Sequence, residues 1–498
     1  MKKYTVLFIL LVLINCGDSP VLELPLSTES KKAKDFYKKA VLEWQSGGDI
    51  EKRNFLDSSI FYDQNFALAY EMNDVNNPIK RKKYIDKAKE LISTTTNSEK
   101  YIINIRNAFR ENNLDNALEN ANMLVKEYPE YYEPYNWLGI VKSNRNELKE
   151  AENVFLKAIS INKDNFVAYN FLAGQHIPSG GFTMLPTEQR NMEKGMKYID
   201  EMIRIRPNSG YPYHIKANVY RNMSQFDKAK PLYEKSIEKR KGTSSLGTAY
   251  IVSGHNYMFG GSFETARERY NLGIKETKTK DGWFGLNYYL TISYLFENDF
   301  SGALRNIEKV EEALENKGFS EVELLEKIST INFHKLICYA HSQRKDDSYE
   351  ALEKIIELNK ERADILDEEA TYKQIEAREK NLKAWVYILF GEYKQANVEL
   401  KKLKEIQSLK KDPTALYGYN GLMGMTKLMQ GNPEEAISFF NKGNKNNTYY
   451  NYFKGLALKA TGNNEKANKE FKNIVNDNFS YWELSIVKKL AKEQLGNV

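Results

Sequence analysis

A chain of 498 residues with only 12 prolines and 28 glycines, dominated by Lys, Glu, Leu, Ala and Asn, favours helices and excludes an all-β fold. Its 73 basic and 67 acidic residues leave a net charge of +6 spread without a basic block, so nucleic acid is not an implied partner. The length suits two or three ordinary domains or one continuous repeat array.

The chain opens with Met1-Lys2-Lys3 and a mostly apolar run, Tyr4 to Ile14. Eleven residues cannot cross a bilayer, which needs roughly 20, but they match the core of a secretory leader. The run ends in Leu13-Ile14-Asn15-Cys16, which resembles the lipobox of bacterial lipoproteins, with Asn15 where that family has Gly, Ala or Ser. The resemblance implies cleavage before Cys16 and acylation of its thiol; a plain secretory leader is the alternative. Each buried acyl methylene contributes about 0.8 kcal/mol, and two or more chains hold a protein stably on a membrane. The expectation is a leader over 1–15, then a lipidated cysteine and an extended tether over 16–30 carrying Pro20 and Pro25. The body then sits in the bacterial cell envelope, in the periplasm or at the surface, with the outer membrane favoured over the inner. Once Cys16 is acylated, Cys338 has no partner within the chain and reads as a small buried hydrophobe beside Leu336, Ile337 and Ala340.

Beyond the tether, an internal spacing repeats. In Glu133 to Asp164, Tyr135, Leu138 and Gly139 lie on one amphipathic stretch and Ala151, Phe155 and Ala158 on the next, with a polar turn at Asn144 to Glu147 between them. Gly139 and Ala151 are twelve apart, which suits two antiparallel helices crossing where neither carries a large side chain. The same order of small, small, bulky and small or aliphatic residues recurs at Ala217, Ala229, Tyr233 and Ser236, and at Gly254, Ala266, Tyr270 and Gly273. It continues at Thr291, Ala303, Ile307 and Val310, at Ala384, Ala396, Leu400 and Leu403, at Gly424, Ala436, Phe440 and Gly443, and at Gly455, Ala467, Phe471 and Ile474.

These residues resemble the tetratricopeptide repeat (TPR), whose period is 34. Ala117 to Ala151 and Gly195 to Ala229 keep that period, and Pro129 and Pro207 stand at the closing place of two copies. Later steps lengthen, to 37 from Ala266 to Ala303 and 40 from Ala396 to Ala436. The resemblance implies an all-α fold, a right-handed superhelical solenoid of about nine to eleven antiparallel helix pairs. Degenerate repeats occupy 31–130, regular ones 131–310 with an inserted loop at 177–190, degenerate ones 311–380 and regular ones 381–479. Ser480 to Val498, with Trp482, Leu484, Val487 and Leu490, reads as a helix capping the last repeat.

In such an array the first helix of each pair lines an inner groove. The groove-facing positions predicted on that frame are Asn136, Asn170, Tyr211, His214, Asn218, Arg221, His255, Tyr288, Trp385, Tyr449 and Tyr452. Asn, His and Arg suit a peptide's backbone or chain end, and aromatic rings its side chains. The family resemblance implies a non-catalytic scaffold for a protein or peptide partner, and some members grip a C-terminal carboxylate with Asn and basic residues as Asn170, Asn218 and Arg221 would. A different reading is a surface glycan-binding lipoprotein resembling the SusD type, using 33 Tyr and 5 Trp as stacking platforms. No hydrolase, P-loop or paired-cysteine motif occurs, and no cofactor is implied. His334, Cys338 and His341 share a helical face at a spacing that suits a metal, but no supporting cluster accompanies them. Gly418, Gly421 and Gly424 fit close helix packing.

Overall fold

The structure is a computed structural model that describes residues 21–46, 48–177, 184–409, 412, 414–479 and 481–496. The expected leader over 1–15, Cys16 and the centre of the expected inserted loop, 178–183, lie outside the described residues.

The N-terminal part holds α1 (Lys31–Ser46) with α2 (Asp49–Tyr62), a short unit of α3 (Ala67–Glu71) and α4 (Pro78–Glu90), then α5 (Asn97–Arg110) with α6 (Leu114–Glu127). Next come α7 (Glu133–Asn144) with α8 (Leu148–Ile161), α9 (Phe166–His176) with α10 (Met192–Ile205), and α11 (Gly210–Asn222) with α12 (Phe226–Arg240). They are followed by α13 (Leu246–Phe259) with α14 (Phe263–Glu276), α15 (Lys280–Leu295) with α16 (Phe300–Leu314), and the longer α17 (Glu321–His341) with α18 (Lys345–Leu366). The chain closes with α19 (Glu369–Leu389) and α20 (Tyr393–Ser408), α21 (Tyr417–Met429) and α22 (Pro433–Asn441), α23 (Thr448–Ala460) and α24 (Asn464–Asn476), and a single α25 (Trp482–Gln494). No strand occurs among the described residues, and the fold is an all-α solenoid of paired helices, eleven pairs besides α3–α4 and α25.

The small residues seen in the sequence are where the paired helices cross. Ala151, Ala229, Ala266, Ala303, Ala396, Ala436 and Ala467 are all fully buried. A Cβ on Gly139 would lie 2.6 Å from the Phe155 ring, one on Gly424 2.6 Å from Phe440, and one on Gly455 2.5 Å from Phe471. Each bulky residue therefore fills the hollow opened by its glycine, and its full burial contributes roughly 2–3 kcal/mol. The long α17 and α18 keep the frame in the stretch read as degenerate, with Leu336 in the small place and Ser348, Leu352 and Ile355 buried behind it.

A second periodic device sets the turns. Seven residues after each small position, two before the second helix starts, stands a residue of positive φ: Asn146, Ser224, Gly261, Asn298, Gly391, Gly431 and Gly462, with Asn112 and Gln343 in equivalent turns. The next residue then donates its backbone N–H five positions back, as in Glu147 to Lys142 at 2.9 Å and Gln225 to Tyr220 at 2.8 Å, which satisfies helix-end carbonyls.

First helices also pack on the first helices of neighbouring pairs, α13 on α15, α19 on α21, α21 on α23 and α23 on α25, whereas second helices make no comparable mutual contact. The odd-numbered helices from α7 onward thus form the inner layer. Across that layer the two ends of the chain fold back. α1 reaches α11, with Trp44 against the α7–α9 cluster, and α25 packs on α15 as well as on α23 and α24. Polar contacts complete the closure: Arg206 Nη1 donates to the Leu42 carbonyl at 2.6 Å, the Ser244 N–H to Glu51 Oε1 at 2.6 Å, and Asn76 Nδ2 to Asp281 Oδ2 at 3.0 Å. The described residues ahead of α1, expected to be an extended tether, are pinned to the body, since the Ser98 hydroxyl donates to the Pro25 carbonyl at 3.0 Å and the Ser27 N–H to Glu99 Oε1 at 3.1 Å. The body therefore begins a few residues before Thr28.

Candidate functional site

Six of the predicted groove residues gather where α9, α11 and α13 lie side by side. The Tyr211 hydroxyl donates to Asn170 Oδ1 at 3.2 Å, and the Tyr233 hydroxyl of α12 to Asn218 Oδ1 at 2.8 Å. His214 faces Arg240, a residue the sequence frame did not single out, with Arg240 Nη2 3.5 Å from His214 Nδ1. Arg240 reaches the inner layer from the end of α12 because Gly210 leaves it room; a Cβ there would lie 2.7 Å from Arg240 Cγ. Glycine at the start of α11 was the available signal for it.

Arg221 and Arg240 are only 2 % and 3 % exposed, and Nε and Nη1 of each have no hydrogen-bond partner. Neither is ion-paired among the described residues. Around them stand neutral or cationic groups. Burial, reinforced by Arg240 and Arg221, holds His214 well below its ordinary pKa, and burial with Arg221 and His214 does the same for His255. Burial also lowers the Arg240 guanidinium to about 10 and the Lys488 ammonium to about 8. Aromatic faces complete the wall: His255 meets the Tyr289 ring edge-on at 4.5 Å, and Arg221 lies 5.9 Å from the Phe259 ring. The arrangement offers hydrogen-bond donors and positive charge, which are complementary to an anion.

Asn478 and Phe479, which follow α24, lie against Arg221. Asn478 Nδ2 donates to the Arg221 carbonyl at 3.1 Å and to Ser224 Oγ at 3.0 Å, the Phe479 ring is 5.5 Å from the guanidinium, and Lys488 Nζ donates to Asn478 Oδ1 at 3.2 Å.

The other predicted positions are placed differently. Asn136 forms a reciprocal amide pair with Asn165, at 3.1 and 2.8 Å, and Asn165 in turn caps α9. Tyr288 packs edge-on against His334 at 4.7 Å. Trp385 donates its indole N–H to the Tyr449 hydroxyl at 3.3 Å, and Trp482 of α25 stacks into the same group, 5.8 Å from Trp385 and 5.4 Å from Tyr449. Tyr452 turns to Phe471 within its own helix pair. Trp385, Tyr449 and Tyr452 are all buried, their faces packed on one another. Cys338 is fully buried with its thiol pushed up to about 12, and His334 Nδ1 lies 3.0 Å from the Thr330 carbonyl. Among the described residues no group of three or more His, Cys, Asp or Glu is placed to hold a metal, and no helix is long and apolar enough to cross a membrane.

Separately, a polar cleft of about 600 Å³ opens between the N-terminal helices and α15 and α17, lined by Lys52, Arg53, Asp74, Arg81, Asp281 and Glu323 among others.

The tetratricopeptide repeat family model matches residues 132–165 and 211–238, which are α7–α8 and most of α11–α12. Among solved structures, the chain is similar to a tetratricopeptide repeat protein from Parabacteroides merdae ATCC 43184, at 15% identity over 53% of this chain and 93% of that one, with a TM-score of 0.35. It is also similar to the APC/C hetero-tetramer Cut9-Hcn1, at 10% identity over 89% and 96% with a TM-score of 0.30. A third is the human IFIT1 dimer with PPP-AAAA, at 17% identity over 84% and 91% with a TM-score of 0.35. No curated protein matches the chain.

Proposed function

We propose that this chain is a non-catalytic scaffold that holds a protein or peptide partner against its inner helical layer and is kept at a bacterial membrane by acyl chains on Cys16. A tetratricopeptide-type helical array is consistent with protein–protein interaction. The observation that carries the partner reading is the meeting of Asn170, Tyr211, His214, Asn218, Arg221 and His255 on three successive inner helices, with guanidinium donors left unused. Such a surface offers charge and hydrogen bonds in a mostly apolar wall, the composition of binding hot spots. The anchor reading rests on Leu13-Ile14-Asn15-Cys16 behind a short apolar run.

Both halves are tested in intact cells. A photocrosslinking residue at Asn170 or Tyr211, on the inner layer, is expected to trap one discrete partner, whereas one at Glu150 on α8 traps none. Equal, diffuse labelling from both faces would remove the scaffold reading. A radioactive fatty acid is expected to label the wild type and not a Cys16→Ser variant; an unlabelled wild type, released into the medium, would remove the anchor.

A further inference from the structure

Within this scaffold reading, we propose that Arg221 and Arg240 form a receptor for an acidic peptide segment of the partner, and that the chain's own Asn478 and Phe479 lie against Arg221 as an internal competitor.

A guanidinium keeps its charge at any physiological pH and offers five donors. Buried charges are ordinarily paired, because an unpaired one is strongly destabilising. Here two of them sit at 2 % and 3 % exposure with Nε and Nη1 unused on each, and the groups around them are His214, His255, Lys488, Tyr233 and Tyr289. None of these is an anion at neutral pH, and no carboxylate among the described residues lies within ion-pair distance of either arginine. The charge is therefore complementary to a carboxylate-bearing ligand. Asp477, whose backbone carbonyl accepts from Lys488 Nζ, turns its carboxylate to the Tyr481 hydroxyl.

What covers Arg221 points to a peptide as the ligand. Asn478 holds the loop by two side-chain hydrogen bonds, one of them to a backbone carbonyl, and Phe479 lays its ring on the guanidinium. This is the manner in which a bound peptide would engage an inner helix, with a neutral ring in place of the stronger charge-assisted pair. A segment presenting Glu or Asp beside an aromatic residue makes the same apolar contact and adds the pair, so it displaces the internal loop. Phe479 is half-buried and Asn478 buried, and both lie outside the helices, after α24 ends at Asn476 and before α25 starts at Trp482.

The test uses the full acylated chain in detergent and a fluorescein-labelled peptide of six residues, Glu-Phe-Glu-Glu-Phe-Glu, followed by fluorescence anisotropy. The expected results are saturable binding, a loss of at least tenfold in affinity in Arg221→Gln and in Arg240→Gln, and a gain of about three- to tenfold in Asn478→Ala with Phe479→Ala, which frees the receptor. The peptide with Gln for Glu is expected to bind at least tenfold more weakly. Unchanged affinity in the arginine variants, or displacement by inorganic phosphate at equal concentration, overturns the proposal; the second outcome would mark a site for small oxyanions instead. A thermal-unfolding midpoint of Arg221→Met at or above wild type is expected, since that change removes an unpaired buried charge; a large fall in the midpoint marks Arg221 as a structural residue and refutes the receptor. Capture of the crosslinked partner by Arg221→Gln at the wild-type level would sink the receptor and leave the scaffold standing, whereas no capture by either chain would sink the scaffold itself.

Discussion

Gly139 and Gly285 are interior residues of inner helices α7 and α15, yet the same change to alanine is expected to act oppositely on them. Alanine gains about 0.8–1 kcal/mol over glycine within a helix, because it loses less backbone freedom on folding. At Gly285 the new methyl would sit 3.4 Å from Ile251 Cδ1, close to ordinary contact with a flexible side-chain end, so most of that gain is kept. Gly285→Ala should therefore stabilise the protein by about 0.5–1 kcal/mol. At Gly139 the methyl would meet the Phe155 ring at 2.6, 2.6 and 2.9 Å, and Phe155 is itself fully buried and stacked on Phe171 at 5.1 Å. Overpacking of this kind costs about 1–3 kcal/mol, which outweighs the helical gain and leaves a net loss of about 1–2 kcal/mol. Urea denaturation followed by circular dichroism at 222 nm reads both. A third variant, Gly139→Ala with Phe155→Leu, should lose less than the sum of its single changes, because the clash is gone. If Gly139→Ala stabilises as much as Gly285→Ala, the crossing is not where the repeat frame puts it and the pairing logic of the fold is wrong.

Acid should weaken the fold through its buried histidines. His334 is held at about 4 by burial against an ordinary value of 6.5; as pH falls below 6.5 the unfolded chain takes up a proton that the folded chain refuses. Stability contributed by this group is complete above 6.5 and falls by about 3 kcal/mol as pH approaches 4, so His334→Gln should show a shallower decline in urea midpoint from pH 7 to 4.5. Glu71 is almost fully buried between Arg106 Nε at 2.9 Å and Arg110 Nη1 at 2.7 Å. Glu71→Ala leaves Arg110 without its carboxylate and Arg106 with Asp74 alone, at 2.8 Å, and is expected to cost about 3 kcal/mol, whereas replacing an exposed acid such as Glu119 changes the midpoint by less than about 0.5 kcal/mol. Removing the Glu51 and Arg206 contacts together should leave global stability within about 2 kcal/mol of wild type but raise hydrogen exchange in α1 and α2 by at least tenfold. Exchange unaltered there would mean that these contacts do not hold the N-terminal helices down.

The helix pairs were legible in the sequence because close crossing demands a small residue at a fixed step, and seven such steps are met by residues that the structure buries. The turn device was equally periodic but less visible, since Asn, Ser, Gly and Gln all serve it and only Asn and Gly advertise a left-handed conformation. Even the stretch 311–380, read as degenerate, keeps it at Gln343. Tyr211, His214, Asn218 and Arg221, one helical repeat of polar and aromatic residues in the sequence, lie together on α11. What local pattern could not carry is the closure of the array on itself. Trp44 meets a cluster more than ninety residues away, and Trp482 joins Trp385 and Tyr449 instead of only sealing the last pair. Those contacts turn positions that a periodic frame exposes to a groove into buried ones. Arg240 and Lys488 were missed for the same reason, lying on a second helix and on the terminal helix.

A stack of repeats whose members touch only their neighbours unfolds piecemeal, fraying from its ends. Here α1 is fastened to α11 and α25 to α15, so each terminus is tied to the middle of the chain. Loosening either end then exposes surface on central repeats, and the unit that melts becomes much larger than one hairpin. The same ties raise the sequence separation of native contacts, so the final step of folding must wait for both ends to find the centre. A protein made of local pieces thereby gains the all-or-none behaviour of a globular domain, and a protease meets few partly opened forms.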